Sequence, residues 1–156
     1  MVLSSTMLGF VYANVFNLLL FLTAVAAVIW GGWVERVVSA LFVTALVASL
    51  AVLRFSSVKY LGFETGLFIV DGTLLIALLL VTLRAGQGWL ICATSFQAIA
   101  VLGHLAKLVN PHYSRMAYWL MANASIYPTV IALAVGIWQY RRRKIAAAAG
   151  TSSGTS

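Results

Sequence analysis

The sequence predicts an all-α protein, a bundle of helices that crosses a lipid bilayer several times. Of the 156 residues, 63% are hydrophobic and only 8% are charged, against about a quarter charged in an ordinary soluble domain. A soluble domain of this length has too small an interior to bury so much apolar surface. The chain also contains five apolar stretches of about 20 residues, the length that spans the hydrocarbon core of a bilayer.

The five apolar stretches predict five spanning helices, which cover about residues 8–30, 34–53, 63–83, 89–109 and 113–140. Gly31 and Gly32 end the first helix, and a short loop at residues 85–88 joins the third helix to the fourth. Asn110 and Pro111 give a turn signal after the fourth helix. The N-terminal residues carry no Lys or Arg, so the first stretch is interpreted as a retained helix and not as a cleaved signal peptide.

The fifth stretch is long and contains Pro128, which removes a backbone hydrogen bond and usually kinks a helix. A second architecture therefore stays open, with four spanning helices and an interfacial helix at about residues 113–125. In either case residues 1–145 form a single transmembrane helical domain. Residues 146–156 are small or polar, and we expect them to form a disordered cytoplasmic tail.

The positive charge of the chain is concentrated near its C-terminus. The formal net charge is +7, and Arg141, Arg142, Arg143 and Lys144 directly follow an apolar helix. A basic run in this position is typical of a cytoplasmic anchor that contacts anionic lipid headgroups, so no nucleic-acid partner is expected. With five spans, this run predicts a cytoplasmic C-terminus and a periplasmic N-terminus.

Charged side chains inside the apolar stretches are the most informative residues, because each costs at least about 2.5 kcal/mol at the centre of a spanning helix. Glu64 and Asp71 share one face of the third helix, and His104 and Lys107 are neighbours on the fourth. The loop between these helices is short, so they form an antiparallel hairpin that brings both pairs to the same depth. We predict that the four groups face one another, with Asp71 nearest to His104.

Further polar residues occur at the same level of the predicted bundle. They are Asn14 and Asn17 on the first helix and Arg115, Tyr118 and Asn123 on the fifth, whereas Gln97 lies deeper on the fourth. Together with the charged residues they predict an intramembrane polar cluster in the outer half of the bilayer. The same residues can instead serve only to hold helices together, through ion pairs and interhelical hydrogen bonds, and those near helix ends can reach water.

The residues that bind metals and cofactors are scarce. His104 is suited to relay a proton to or from Asp71 near neutral pH. His112 is the only other histidine and Cys92 the only cysteine, which is too few for a recognised metal or haem site. No cofactor and no metal is therefore predicted, and the sequence contains no phosphate-binding loop or nucleophile motif.

Three parts of the chain carry a resemblance to known proteins: residues 62–71, residues 103–107 (Gly-His-Leu-Ala-Lys) and the pair Tyr127-Pro128. They resemble segments of a group of small, uncharacterised multi-pass inner-membrane proteins of alphaproteobacteria, and the likeness covers most of residues 34–144. The resemblance implies a bacterial inner-membrane location. The group has no assigned activity, so no functional residue follows from it.

Three functions stay open from the sequence. The small size, the missing catalytic motifs and the GxxxG pattern of Gly62 and Gly66 favour a non-catalytic accessory or assembly subunit, packed against a larger membrane complex or against copies of itself. Asp71 and His104 at membrane depth favour instead a small oligomeric proton-coupled transporter or channel. A lipid- or quinone-binding membrane enzyme that uses the polar cluster ranks third. The predicted partners are the lipid bilayer and other membrane subunits.

Overall fold

The computed structural model describes the backbone of residues 2–55, 61–109 and 115–152, and the side chains of residues 14–52, 54, 65–107, 109 and 127–149. Over this part of the chain there are five α-helices and no strand, which confirms the all-α prediction. The helices are α1 (Val2–Trp30), α2 (Trp33–Phe55), α3 (Leu61–Ala85), α4 (Gly88–Val109) and α5 (Arg115–Ser152).

Glycines form the two helix connections that the structure describes. Gly32 precedes α2, and its backbone N–H donates a 3.0 Å hydrogen bond to Oε2 of Glu35, the third residue of that helix. This contact satisfies one of the backbone donors that every helix leaves open at its N-terminus. At the end of α3, Gly86 has φ of 59°, a left-handed conformation that favours glycine. Both turns are short, so the helices they join run antiparallel.

The five helices form a closed ring. Each helix contacts the next along the chain, α1 also contacts α5, and α2 and α5 approach each other across the ring. Val38, Leu78, Leu90 and Leu133, one from each of α2 to α5, are completely buried in the core. The ring therefore encloses an interior to which all five helices have access.

Among the residues with described side chains, three helical segments are long and apolar enough to cross a membrane: Trp33–Val52, Thr65–Ala85 and Gly88–Lys107. The described part of α1 forms a shorter apolar segment, Asn14–Trp30. Many large apolar side chains on these helices are exposed, including Phe21, Ile76, Leu83 and Ile91. Lipid tails would cover such side chains, so their exposure agrees with a bundle that lies in a bilayer.

The fifth helix runs through Pro128 as one element, as the five-helix architecture predicted, and the structure does not divide it there as the four-helix alternative expected. It differs from the prediction at its C-terminal end, because it continues to Ser152, whereas a disordered tail was expected from Ala146. Residues 146–149 are alanines, which have the highest helix propensity of all residues and extend the preceding helix. The tail residues 153–156 lie outside the described part of the chain.

Candidate functional site

Asp71 on α3 and His104 on α4 meet inside the bundle. His104 Nε2 lies 3.0 Å from Asp71 Oδ2, and the His104 side chain is 8% exposed against 26% for that of Asp71. One proton is shared in this contact: a protonated Nε2 donates to an ionised carboxylate, or a neutral carboxyl group donates to an unprotonated Nε2. The structure thus brings together the two residues that the hairpin argument places nearest to each other.

Gln97 completes the group of polar side chains around Asp71. Its Nε2 donates to Asp71 Oδ1 at 3.2 Å and, over a longer distance of 3.4 Å, to the Asp71 backbone carbonyl. Both neighbours are acceptors, which identifies the amide nitrogen as the atom that faces them. Gln97 is almost fully buried. We call Asp71, Gln97 and His104 the polar trio.

The pairing of α3 with α4 determines which residues enter the polar trio. The Thr82 and Thr94 hydroxyls share a 2.9 Å hydrogen bond on the same hairpin. Asp71 lies eleven residues before Thr82 on α3, and His104 lies ten residues after Thr94 on α4. Both helices rise by the same distance per residue. The Thr82–Thr94 and Asp71–His104 contacts therefore fit a single alignment of α3 against α4.

The polar trio lines a central cavity of about 290 Å³. Every helix contributes to its wall, and most of the lining is apolar. The lining residues are Phe16 and Leu20 on α1, Phe42, Ala45, Leu46 and Ser49 on α2, Leu67, Asp71 and Leu74 on α3, Gln97, Ala100 and His104 on α4, and Thr129 and Val130 on α5. A mainly apolar cavity with a few convergent polar groups is the usual form of a small-molecule site.

Three other members of the predicted polar cluster have described side chains, and none of these three lines the cavity. Asn14 and Asn17 are exposed on α1, since the face of that helix that reaches the cavity is the one with Phe16 and Leu20. Lys107 is half-buried in the last turn of α4, beyond the cavity wall. The side chains of four further candidates lie outside the described residues: Glu64, Arg115, Tyr118 and Asn123.

One of the two glycines predicted to pack helices lies at a helix contact. A Cβ atom on Gly66 would be 2.7 Å from Cγ1 of Val52 on α2, which is closer than two carbon atoms can approach. The absence of a side chain at this position therefore lets α3 lie against α2. Gly62 is outside the residues whose surroundings the structure describes.

Glu35 is a buried acidic residue for which no role was predicted from the sequence. It is 1% exposed, and its Oε1 is buried without a hydrogen-bond partner among the described residues. A signal was available in the sequence, because Glu35 follows Gly32 by three residues, the spacing of an N-terminal helix cap. The same spacing gave no indication that packing would bury the carboxylate.

The basic run at the C-terminal part of α5 is exposed, and two of its arginines lie over tryptophan rings. The Arg141 guanidinium carbon is 5.2 Å from the Trp30 ring centroid, and that of Arg142 is 4.7 Å from the Trp138 ring centroid. Arg143 and Lys144 are also exposed. Tryptophan and arginine together are typical of the membrane interface, as expected for residues that contact lipid headgroups.

The chemistry available at the cavity is hydrogen bonding and proton exchange. Within the described ranges, no group of three or more His, Cys, Asp and Glu side chains converges as it would around a metal ion. The chain matches no protein-family model, no curated protein and no solved structure. The described part of the chain is thus a helical bundle with apolar, membrane-length helices and a central cavity lined by the polar trio.

Proposed function

We propose that this protein is an integral membrane protein that binds a small, mainly apolar molecule in its central cavity, with Asp71, Gln97 and His104 holding a polar group of that molecule. The observation that carries the proposal is the position of the polar trio in the wall of a cavity lined by all five helices. The volume of about 290 Å³ is close to the lower end of the range for small-molecule sites, about 300 Å³.

The polar trio favours a ligand that donates hydrogen bonds. When Asp71 is ionised, each of its carboxylate oxygens accepts one hydrogen bond, Oδ1 from Gln97 and Oδ2 from His104. A carboxylate has about four lone-pair sites, so two acceptor positions stay available on a side chain that is 26% exposed. A hydroxyl or ammonium group would use them, whereas a second carboxylate would be repelled.

A purely structural role would not need the cavity. Thr82 and Thr94 also join α3 to α4 by a hydrogen bond, and neither lines the central cavity. Asp71, in contrast, places an ionisable carboxyl group next to an open space in an apolar interior. Burying such a group costs free energy unless a ligand or water fills the space and forms hydrogen bonds with it. The cavity therefore favours binding over the accessory-subunit function that ranked first from the sequence.

The membrane setting is part of the same proposal. We infer that all five helices cross the bacterial inner membrane, since α1 and α5 complete the ring that α2 to α4 begin. The basic run on α5 supports a cytoplasmic C-terminus, and an odd number of spans would then give a periplasmic N-terminus. A reporter fused to either terminus tests this orientation, and a cytoplasmic N-terminus would contradict it.

Filling the cavity tests the binding proposal. Ala100 on α4 lines the cavity, while its neighbour Ile99 is exposed. We expect protein purified from bacterial membranes in mild detergent to carry a small molecule that solvent extraction and mass spectrometry detect. Ala100→Phe should remove it, and the matched control Ile99→Phe should retain it. The same extracted molecules in both variants would contradict the proposal.

Octyl probes test the preference for a donor group. Octylamine and octanol should raise the thermal unfolding midpoint of the wild-type protein, and octanoate should not, because Asp71 repels it. Asp71→Asn removes the charge and should abolish the preference of the site for the amine over octanoate. An equal response to all three probes would show that the polar trio does not recognise the headgroup.

Proton-coupled transport is the second candidate, and the contact between His104 and Asp71 is the observation that favours it. Imidazole and carboxyl groups can both exchange protons, and both side chains of this pair line the cavity. In liposomes with a pH-sensitive dye inside, the wild-type protein should then move protons with its substrate, and Asp71→Asn should stop this movement. Proton flux unchanged by Asp71→Asn would exclude the mechanism.

A further inference from the structure

An apolar groove runs between α4 and α5 on the outer surface of the bundle, separate from the central cavity. Its volume is about 450 Å³, and Cys92, Phe96, Ile131 and Val135 are among its lining residues. Trp89 also lines the groove and is almost fully buried, because its ring lies against Gly136 of α5. A Cβ atom on Gly136 would overlap Cε2 of Trp89. The glycine thus allows the indole ring to lie between the two helices.

A second hollow, which contains positive charge, adjoins the groove. That hollow has a volume of about 460 Å³ and is lined by Trp138, Gln139, Arg142, Arg143 and Ala146. Gln139 lines both depressions, so they are neighbours along α5. From Pro128 to Ala146 the helix rises by about 27 Å, which is close to the thickness of a bilayer's hydrocarbon core.

Both arginines of the hollow fold back towards the groove. The Arg142 guanidinium lies over the ring of Trp138, and Arg143 Nε donates to the Gln139 carbonyl at 3.4 Å. Each contact reaches one helical turn back along α5. Two guanidinium groups therefore lie beside the end of the apolar groove, where they are exposed and carry donors that match a phosphate.

We propose that this surface binds an anionic phospholipid, with an acyl chain in the groove between α4 and α5 and the phosphate bound by Arg142 and Arg143. The charge complementarity is local, since the neighbouring Arg141 turns to Trp30 on α1 and away from the groove. The basic run is therefore divided between two faces of α5. The face with Arg142 and Arg143 adjoins the apolar groove, so a lipid bound there is distinguishable from general attraction to an anionic membrane surface.

Two double substitutions with equal loss of charge test the proposal. Arg142→Gln with Arg143→Gln removes the proposed phosphate ligands, and Arg141→Gln with Lys144→Gln removes two charges from the same run. All four side chains are exposed, so neither change threatens the fold. Binding of phosphatidylglycerol to the full chain in detergent is measured by native mass spectrometry, with phosphatidylcholine of the same acyl chains as the reference lipid.

The variant with Arg142→Gln and Arg143→Gln should bind phosphatidylglycerol at least about tenfold more weakly than the wild-type protein, since it loses two charge-assisted hydrogen-bond donors to the phosphate. The second pair should bind it almost as the wild type does. Equal losses in both pairs would show diffuse electrostatic attraction and overturn the proposal. No preference of the wild-type protein for phosphatidylglycerol over phosphatidylcholine would overturn it as well.

A groove-filling variant tests the acyl-chain part independently. Cys92→Trp places a large side chain in the groove, and Ile91→Trp places the same side chain on an exposed neighbouring position outside it. We expect only the Cys92 variant to lose the bound phosphatidylglycerol. Retention of the lipid by a folded Cys92→Trp protein would contradict the proposed path of the chain. This result does not depend on the central cavity, since the two sites share no residue.

Discussion

Two acidic side chains inside the bundle, Asp71 and Glu35, are held in different ways. Asp71 is bound by His104 and Gln97, which belong to the next helix and lie 33 and 26 residues away. Glu35 is bound by the backbone N–H of Gly32, three residues before it, while its Oε1 has no partner in the described part of the chain. One carboxylate depends on packing between helices, and the other on a local turn.

The different contacts distinguish Asp71, which belongs to the candidate site, from Glu35, which caps a helix. The contacts of Asp71 exist only after α3 and α4 pair, and they leave the carboxylate at the edge of a cavity that a ligand can enter. The contact of Glu35 forms with the first turn of α2, and Glu35 does not line the central cavity. Burial by itself therefore does not indicate which of the two carboxyl groups can contact a ligand. The position of Asp71 in the wall of the central cavity does.

The largest expected effect comes from removing a partner of Asp71. His104→Ala leaves the carboxyl group with Gln97 alone, and a lost hydrogen bond to a charged group costs about 1.5–3 kcal/mol. Because Asp71 is 26% exposed, we expect the middle of this range, about 2 kcal/mol. The free energy of unfolding in mixed micelles measures it, and Leu105→Ala at an exposed neighbouring position is the control.

A smaller loss is expected when Glu35 is changed. Glu35→Ala removes the hydrogen bond to Gly32 and should cost about 1 kcal/mol, as for other helix caps. Glu35→Gln keeps an oxygen for the Gly32 N–H and removes the charge, so its unfolding free energy should stay close to that of the wild type. A loss for Glu35→Ala that exceeds the loss for His104→Ala would reverse the contrast between the two carboxylates.

The smallest effect is expected for the threonine pair of the α3–α4 hairpin. Thr82→Val with Thr94→Val replaces both hydroxyls by methyl groups of similar size and removes one interhelical hydrogen bond. Such bonds contribute about 0.6 kcal/mol on average in membrane proteins. The double variant should lose about this much stability and keep the ligand of the central cavity. Loss of the ligand would show that hairpin stability, and not the polar trio, controls binding.

The helix positions and part of the site were predictable from local patterns. The predicted ends of α2, α3 and α4 agree with the structure within two residues, since long apolar stretches bounded by glycine leave few alternatives. The prediction that Asp71 lies nearest to His104 needed only the helical rise and a short loop. The helix ends and the proximity of Asp71 to His104 both depend on distances along one segment of the chain. They were predictable because a short turn limits how far the two helices it joins can shift.

Features that depend on how helices rotate were not predictable. Asn14 and Asn17 were expected to join the polar cluster, but packing turns Phe16 and Leu20 of α1 to the cavity instead. The lipid-facing and interior faces of a helix are both apolar in this chain, so the sequence pattern does not define which face turns inwards. For the same reason the pattern predicted neither the buried carboxylate of Glu35 nor the division of the basic run.

The amino-acid sequence by itself determined the helical class, the places where the chain turns, and the pairing of one acid with one base on adjacent helices. These properties depend on backbone hydrogen bonds, glycine positions and the fixed rise of a helix. Only the tertiary structure decided that Gln97 binds Asp71, that five helices enclose a cavity beside them, and that Arg142 and Arg143 adjoin a groove. Each of these depends on the rotation of a helix about its own axis, which packing between neighbouring helices determines.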